Sequence, residues 1–270
     1  MAKYIIILFI LLSSVPAFAQ NKSPYEVDPI IEVPVTIGGF TAFGISRLFS
    51  SEFGSAHCGL QCNPNDVNPL DRNVIGKHSG SARAVSDGFF FGGMGLPFAA
   101  GVINELVYNT EDGWYGFGAD TLVLVETLAF TLTLNNLLDI AVRRPRPLVY
   151  DTNVSDKERL HPNSAFSFPS GHTVAVFAMG TAYSHLYMKR HPNSPWIIPI
   201  WISSYAAGAT TGITRVLAGE HFWTDVIAGA GLGIASGLFI PWLHEAEEAS
   251  NVAVTPIISP ETQGLTITMR

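Results

Sequence analysis

Three short clusters hold the residues of this chain best suited to binding an anion and moving protons. The first is VRRPRP, in which Arg143, Arg144 and Arg146 are interleaved with Pro145 and Pro147. Prolines end a helix and stiffen the backbone beyond it, and guanidiniums held in a fixed fork suit a tetrahedral oxyanion. Alone, the cluster reads equally as a basic helix end that satisfies its own last carbonyls. The second is FPSGH, where Ser170, Gly171 and His172 open an apolar helical run. The first N–H groups of a helix lack partners, its dipole places about half a positive charge there, and Gly171 lets an anion approach the backbone. The result is an anion nest with a hydroxyl and an imidazole at its rim; alone, it is a Ser N-cap with a surface histidine. The third is TRVLAGEHFWTD, with Arg215, His221 and Asp225 spaced R-x5-H-x3-D. A helix starting near Glu220 puts His221 and Asp225 at i and i+4. The carboxylate then holds one imidazole nitrogen and leaves the other free to attack. Alone, this is a surface His–Asp pair.

The elements that must position these clusters are apolar runs at 30–49, 84–108, 119–142, 173–188, 196–214 and 224–243. Their lengths fit helices rather than strands, the first beginning after Pro34. The expectation is an all-α, six-helix bundle over residues 20–245, with a polar loop at 50–81 and an irregular or β-like tail at 246–270. All three clusters fall after odd-numbered helices or at the helix ends bordering them. In an up-down bundle those ends share one face, so two histidines, several arginines and a helix N-terminus converge. The glycines of GGMGLPFAAG and AGAGLGIASG lack the strand-loop-helix setting and the Lys-Ser/Thr of a phosphate loop, and read as close helix packing.

Composition narrows the setting. Only 14% of residues are charged, against an average of about 25%, and mean hydropathy is +0.28, which fits a membrane protein or a strongly helical core. A net charge of −7 gives no footprint for nucleic acid. Lys3, the short apolar stretch YIIILFILL and AFA at 17–19 have the layout of a signal peptide over residues 1–19. This places the mature chain, from Gln20, in a bacterial periplasm or cell-envelope membrane. In that compartment Cys58 and Cys62 read as a disulfide; a metal site would need more ligands than the adjacent His57. Several runs are long enough to span a bilayer. Against this, Asp120, Glu126, Asn135, Asn136 and Asp139 all fall in one of them, and charge inside a membrane is costly. Six spans after a cleaved signal would also leave the clusters on the cytoplasmic side. A peripheral exported bundle or an uncleaved signal removes that conflict, so the bundle is expected to be membrane-embedded or membrane-associated.

Together the clusters resemble the type 2 phosphatidic acid phosphatase and vanadium haloperoxidase superfamily, whose pattern is K-x6-R-P, then P-S-G-H, then S-R-x5-H-x3-D. PSGH stands at 169–172 and TRVLAGEHFWTD at 214–225, with Thr214 in place of serine. The first motif aligns through Arg146 and Pro147 and puts Asp139 where the pattern has lysine. The resemblance covers the third to sixth helices. It implies that His221 is a nucleophile forming a phosphohistidine, Asp225 its orienting partner and His172 the general acid. Arg146, Arg215, Ser170 and the Gly171 N–H would hold the phosphoryl oxygens without a metal or other cofactor. For Asp139 three expectations stand: Arg143, four residues on, supplies the missing charge; Lys77 or Lys157 folds over the site; or activity is weakened or altered. The implied function is an exported, metal-independent phosphatase for phosphomonoesters, lipid phosphates or lipid pyrophosphates. The alternatives are a haloperoxidase with vanadate bound at His221, or a non-catalytic envelope protein.

Overall fold

The structure, a computed structural model, describes residues 23–52, 54, 56–108, 113–246, 252–258 and 263–269. The expected signal segment at 1–19 lies outside the described residues. Helix α1 (Pro29–Glu52) starts ahead of Pro34, not after it. Asp28 caps it by accepting from the Ile30 N–H at 2.9 Å, and Pro29 at the first helical position has no N–H to satisfy. Pro34 is carried inside at the cost of one backbone hydrogen bond.

Two four-residue helices, α2 (Pro69–Arg72) and α5 (Asp156–Arg159), lie in loops. The other long helices are α3 (Gly80–Tyr108), α4 (Gly113–Val142), α6 (Gly171–Arg190), α7 (Ile197–Leu217) and α8 (Trp223–Leu243). That makes eight α-helices among the described residues. Each apolar run of the sequence falls on one of the six long ones. Helix α3 begins four residues before its run, because the Ser79 hydroxyl accepts from the Ala82 N–H at 3.2 Å. That extra turn brings Arg83 onto the helix.

Helix α6 is the central element, packed against α3, α4, α7 and α8, while α1 lies along α4. The α6–α8 contact is made by Gly229, Gly233 and Gly237, four residues apart. A Cβ at these positions would run into the carbonyls of Ser170, Val174 and Ala178 on the facing helix. Missing side chains thus let two backbones touch and fix where α6 begins relative to α8. Around this seam Val123, Leu124, Met179, Ala182, Leu186 and Ile240 form the main apolar cluster. A second one, Val67, Val74, Val216, Phe222 and Val226, lies where α7 meets α8.

Among the described residues, four segments are long and apolar enough to cross a membrane: Pro29–Ser50, Gly80–Val107, Gly113–Tyr150 and Trp223–Leu243. Large apolar side chains face outward along the bundle, among them Ile30, Leu48, Leu106, Ile198 and Trp242. Cys58 and Cys62 are joined in a disulfide, Cα atoms 5.0 Å apart. Past the bundle, β1 (Val252–Ile258) pairs antiparallel with β2 (Gln263–Met269).

Candidate active site

Loops from distant parts of the chain are stitched together at one end of the bundle. The Ser167 N–H donates to the Arg144 carbonyl at 2.9 Å, and the Ser170 N–H donates to the Asp225 carbonyl at 3.1 Å. Helix α7 stops at Gly219, whose φ of 69° suits glycine, and a Cβ there would collide with the Lys77 carbonyl. The chain then turns through Glu220 and His221 into α8.

Helix α8 starts at Trp223, not near Glu220. The reason is a cap: Asp225 Oδ2 accepts from the Phe222 N–H at 2.8 Å, which makes Asp225 a first-turn residue. His221 therefore sits in the turn before the helix, and the expected i, i+4 pairing on one helix face does not form. Its Nδ1 donates instead to the Ser167 carbonyl at 2.8 Å, while Asp225 Oδ2 stands 4.0 Å from that nitrogen. Asp225 acts one step removed. It accepts from Ser167 Oγ at 2.6 Å and so holds the residue whose carbonyl holds the imidazole. His221 is 3% exposed. Burial, followed by the charges of Arg146 and Arg215, pushes its pKa well below the usual value, so the ring is neutral and Nε2 keeps its lone pair.

Beside it, three guanidiniums gather on Glu220. Arg83 Nη2 lies 2.5 Å from Oε1, Arg146 Nη1 2.5 Å from Oε2, and Arg215 Nη2 3.3 Å from the same Oε2. Arg146 is fixed by its Nε–H donating to the Phe166 carbonyl at 3.1 Å. Arg215 Nη1 stands 3.4 Å from both Ser86 Oγ and Asp87 Oδ1. Asp87 also accepts from His172 Nε2 at 3.1 Å, and Phe90 packs against that imidazole with ring centroids 4.3 Å apart. Burial first, then Arg215, lowers the His172 pKa to about 4, against the opposing pull of Asp87.

Ser170 is the residue before α6, but its hydroxyl makes no capping bond; it accepts from Thr173 Oγ1 at 2.9 Å. Gly171 faces Asn135, whose Nδ2 would lie 3.4 Å from a Cβ there and donates to Asp139 Oδ2 at 3.0 Å. Arg143 has a left-handed backbone, φ 49°, and its N–H donates to the Asp139 carbonyl at 2.9 Å. The guanidiniums on Glu220 come from other positions.

The structure adds residues that the sequence patterns did not single out: Arg83, Ser86 and Asp87 on α3, Glu220, Ser167, and a buried bridge built on Arg144. Arg144 pairs with both Asp71 and Asp225 and lies over the Phe222 ring, 4.4 Å from its centroid. Asp71 is fully buried. Burial alone would raise its pKa, but hydrogen bonds from Thr224, Arg144 and Asn68 outweigh that and hold it below the usual carboxylate value. One signal was present in the sequence: Arg83 and Asp87 are opposite charges at i and i+4 that straddle the start of an apolar run.

A set of possible metal donors lies elsewhere. Glu32, Glu126 and His244 bring one ligand atom each within 4.8 Å, where α8 ends rather than where it begins. His244 Nε2 is 3.0 Å from Glu126 and 3.6 Å from Glu32. The hydrogen bond to Glu126 is the main cause raising its pKa, to about 9, so the group is an ion pair with a charged imidazole.

Residues 120–249, which carry all three clusters, match the family model of the PAP2 superfamily. Lipid A 1-phosphatase of Porphyromonas gingivalis is 36% identical over 89 residues, covering 32% of this chain and 19% of that protein. Phosphatidylglycerophosphatase B of Bacillus subtilis is 30% identical over 116 residues, covering 43% of this chain and 53% of that protein. The chain thus spans little more than half the length of the latter relative and far less of the former. Among solved structures, a transmembrane PAP2-type phosphatidylglycerolphosphate phosphatase from Bacillus subtilis is 21% identical with a TM-score of 0.46, covering 77% of this chain and 94% of that one.

Proposed function

We propose that the chain is a membrane-embedded phosphatase that hydrolyses lipid phosphates through a phosphohistidine at His221. The observation that carries this reading is the state of that histidine. It is buried and neutral, with its one proton committed to the Ser167 carbonyl and Arg146 and Arg215 close enough to act on its charge. The Nε2 lone pair attacks phosphorus, and the bond from phosphorus to the leaving oxygen breaks. His172 gives that oxygen a proton, a transfer worth about 10²- to 10⁴-fold. Water then attacks the phosphohistidine, returns a proton to His172, and releases inorganic phosphate and free Nε2. Arg146, Arg215 and the Gly171 N–H meet the charge on the phosphoryl oxygens. His172 is neutral at rest, but Asp87 and the dianionic substrate both favour its protonated form.

The lipid assignment draws on the four span-length segments and the outward apolar residues. The printed activities of the relatives, lipid A 1-phosphatase and phosphatidylglycerophosphatase, point the same way. The test is phosphate release from a lipid phosphate in detergent micelles. Hydrolysis is expected to resist chelator, to be inhibited by vanadate and to vanish in His221→Ala. Loss of activity on chelation, or vanadate-dependent halide oxidation without hydrolysis, would contradict the reading.

A further inference from the structure

The family pattern places a lysine where this chain has Asp139, and Asp139 is buried with its carboxylate bonded to Asn135. A chain that binds a dianion needs that positive charge from another element. Arg83 is in the right place. It lies in the first turn of α3, its side chain 56% exposed, and it reaches inward to Glu220 Oε1. Arg146 and Arg215 meet the other oxygen of the same carboxylate. Three guanidiniums from three separate elements therefore face one point, and the residue that gathers them is the chain neighbour of His221. Charge counting makes Arg83 decisive. Arg83, Arg146 and Arg215 against Glu220 and Asp87 leave one net positive charge; without Arg83 the group is neutral. A guanidinium has five donors and Glu220 does not exhaust them. Arg215 Nε, buried and with no acceptor among the described residues, offers one more.

We propose that Arg83 is a phosphate-binding residue of this site, supplying from the start of α3 the charge that the family pattern supplies from the position of Asp139. The proposal rests on the phosphatase reading above. Glu220 holds the three guanidiniums in register, and substrate oxygens take the N–H groups it leaves.

The experiment compares full-length wild type, Arg83→Ala, Arg83→Lys and His221→Ala in detergent micelles. It measures kcat/KM on a chromogenic phosphomonoester and on a lipid phosphate, and inhibition by vanadate. Loss of one charge-assisted contact is expected to lower kcat/KM of Arg83→Ala roughly 10- to 100-fold and to weaken vanadate inhibition by a similar factor. Arg83→Lys keeps the charge and should stay within about threefold of wild type, and added guanidinium ion should restore part of the Arg83→Ala loss. Wild-type hydrolysis with Arg83→Ala unchanged in both readouts overturns this inference alone. So does an equal loss in Arg83→Ala and Arg83→Lys with vanadate inhibition intact, which marks a structural role. A wild type that neither hydrolyses nor responds to vanadate overturns the phosphatase reading and this inference with it.

Discussion

His221 Nδ1 and the Ser167 carbonyl oxygen lie 2.8 Å apart. A carbonyl can only accept, so the imidazole proton is on Nδ1 and the lone pair is on Nε2. The same serine donates its hydroxyl to Asp225. Carboxylate, serine and histidine thus form a relay of position in which no proton need reach Asp225.

Asp225→Asn should therefore reduce kcat far less than His221→Ala, because the Ser167 carbonyl still fixes the tautomer. Its larger effect should be on stability. Arg144 would lose one of two carboxylate partners inside the fold, and breaking such a buried pair costs about 3 kcal/mol. Thermal unfolding in detergent, run beside kinetics, separates the two effects.

Stability should fall on mild acidification. The folded pKa of His221 is far below its ordinary 6.5, and that of His172 is lowered to about 4. Between these folded values and 6.5 the unfolded chain binds protons that the folded chain refuses. The stability they contribute is present above 6.5 and lost as pH falls. The unfolding temperature should drop as pH goes from about 7 to about 5, and the drop should be smaller in His221→Gln.

His244 should show the opposite sign. Its pKa is raised to about 9 by Glu126 and Glu32, against desolvation. The stability it contributes is complete below 6.5 and is lost as pH rises through about 9. His244→Gln should flatten the alkaline limb of unfolding temperature against pH while leaving turnover at neutral pH unchanged.

Gly219→Ala should damage both fold and turnover. Its φ of 69° and the Lys77 carbonyl leave no room for a side chain, a strain of about 1–3 kcal/mol. Relief of that strain would move the turn carrying Glu220 and His221. A variant with wild-type kcat/KM and unfolding temperature would contradict this.

The legible and illegible parts of this chain differ for physical reasons. Helices α3, α4, α6, α7 and α8 announce themselves as long apolar runs, and α6 starts at Gly171 behind Pro169 and Ser170, where the capping pattern puts it. The start of α8 was not readable, because its cap is the Asp225 side chain bonding back to the Phe222 N–H rather than a Ser, Thr, Asp or Asn at the cap itself. That shift took His221 off the helix and away from direct contact with Asp225. The pairings of Arg144 with Asp71 and of Arg83 with Glu220 join residues 73 and 137 positions apart, and no local pattern encodes such contacts. Asp139 was visible as a departure from the motif, but which arginine compensates for it depends on how α3 approaches α7.

The most direct test is to trap the intermediate. Full-length protein mixed with a ³²P-labelled lipid phosphate, quenched in alkali within the turnover time and digested, should yield one acid-labile, alkali-stable labelled peptide carrying His221. The label should be lost in His221→Ala and should persist longer when the second step is slowed in His172→Gln. Steady hydrolysis by wild type with no label on His221, or full turnover by His221→Ala, would contradict the account.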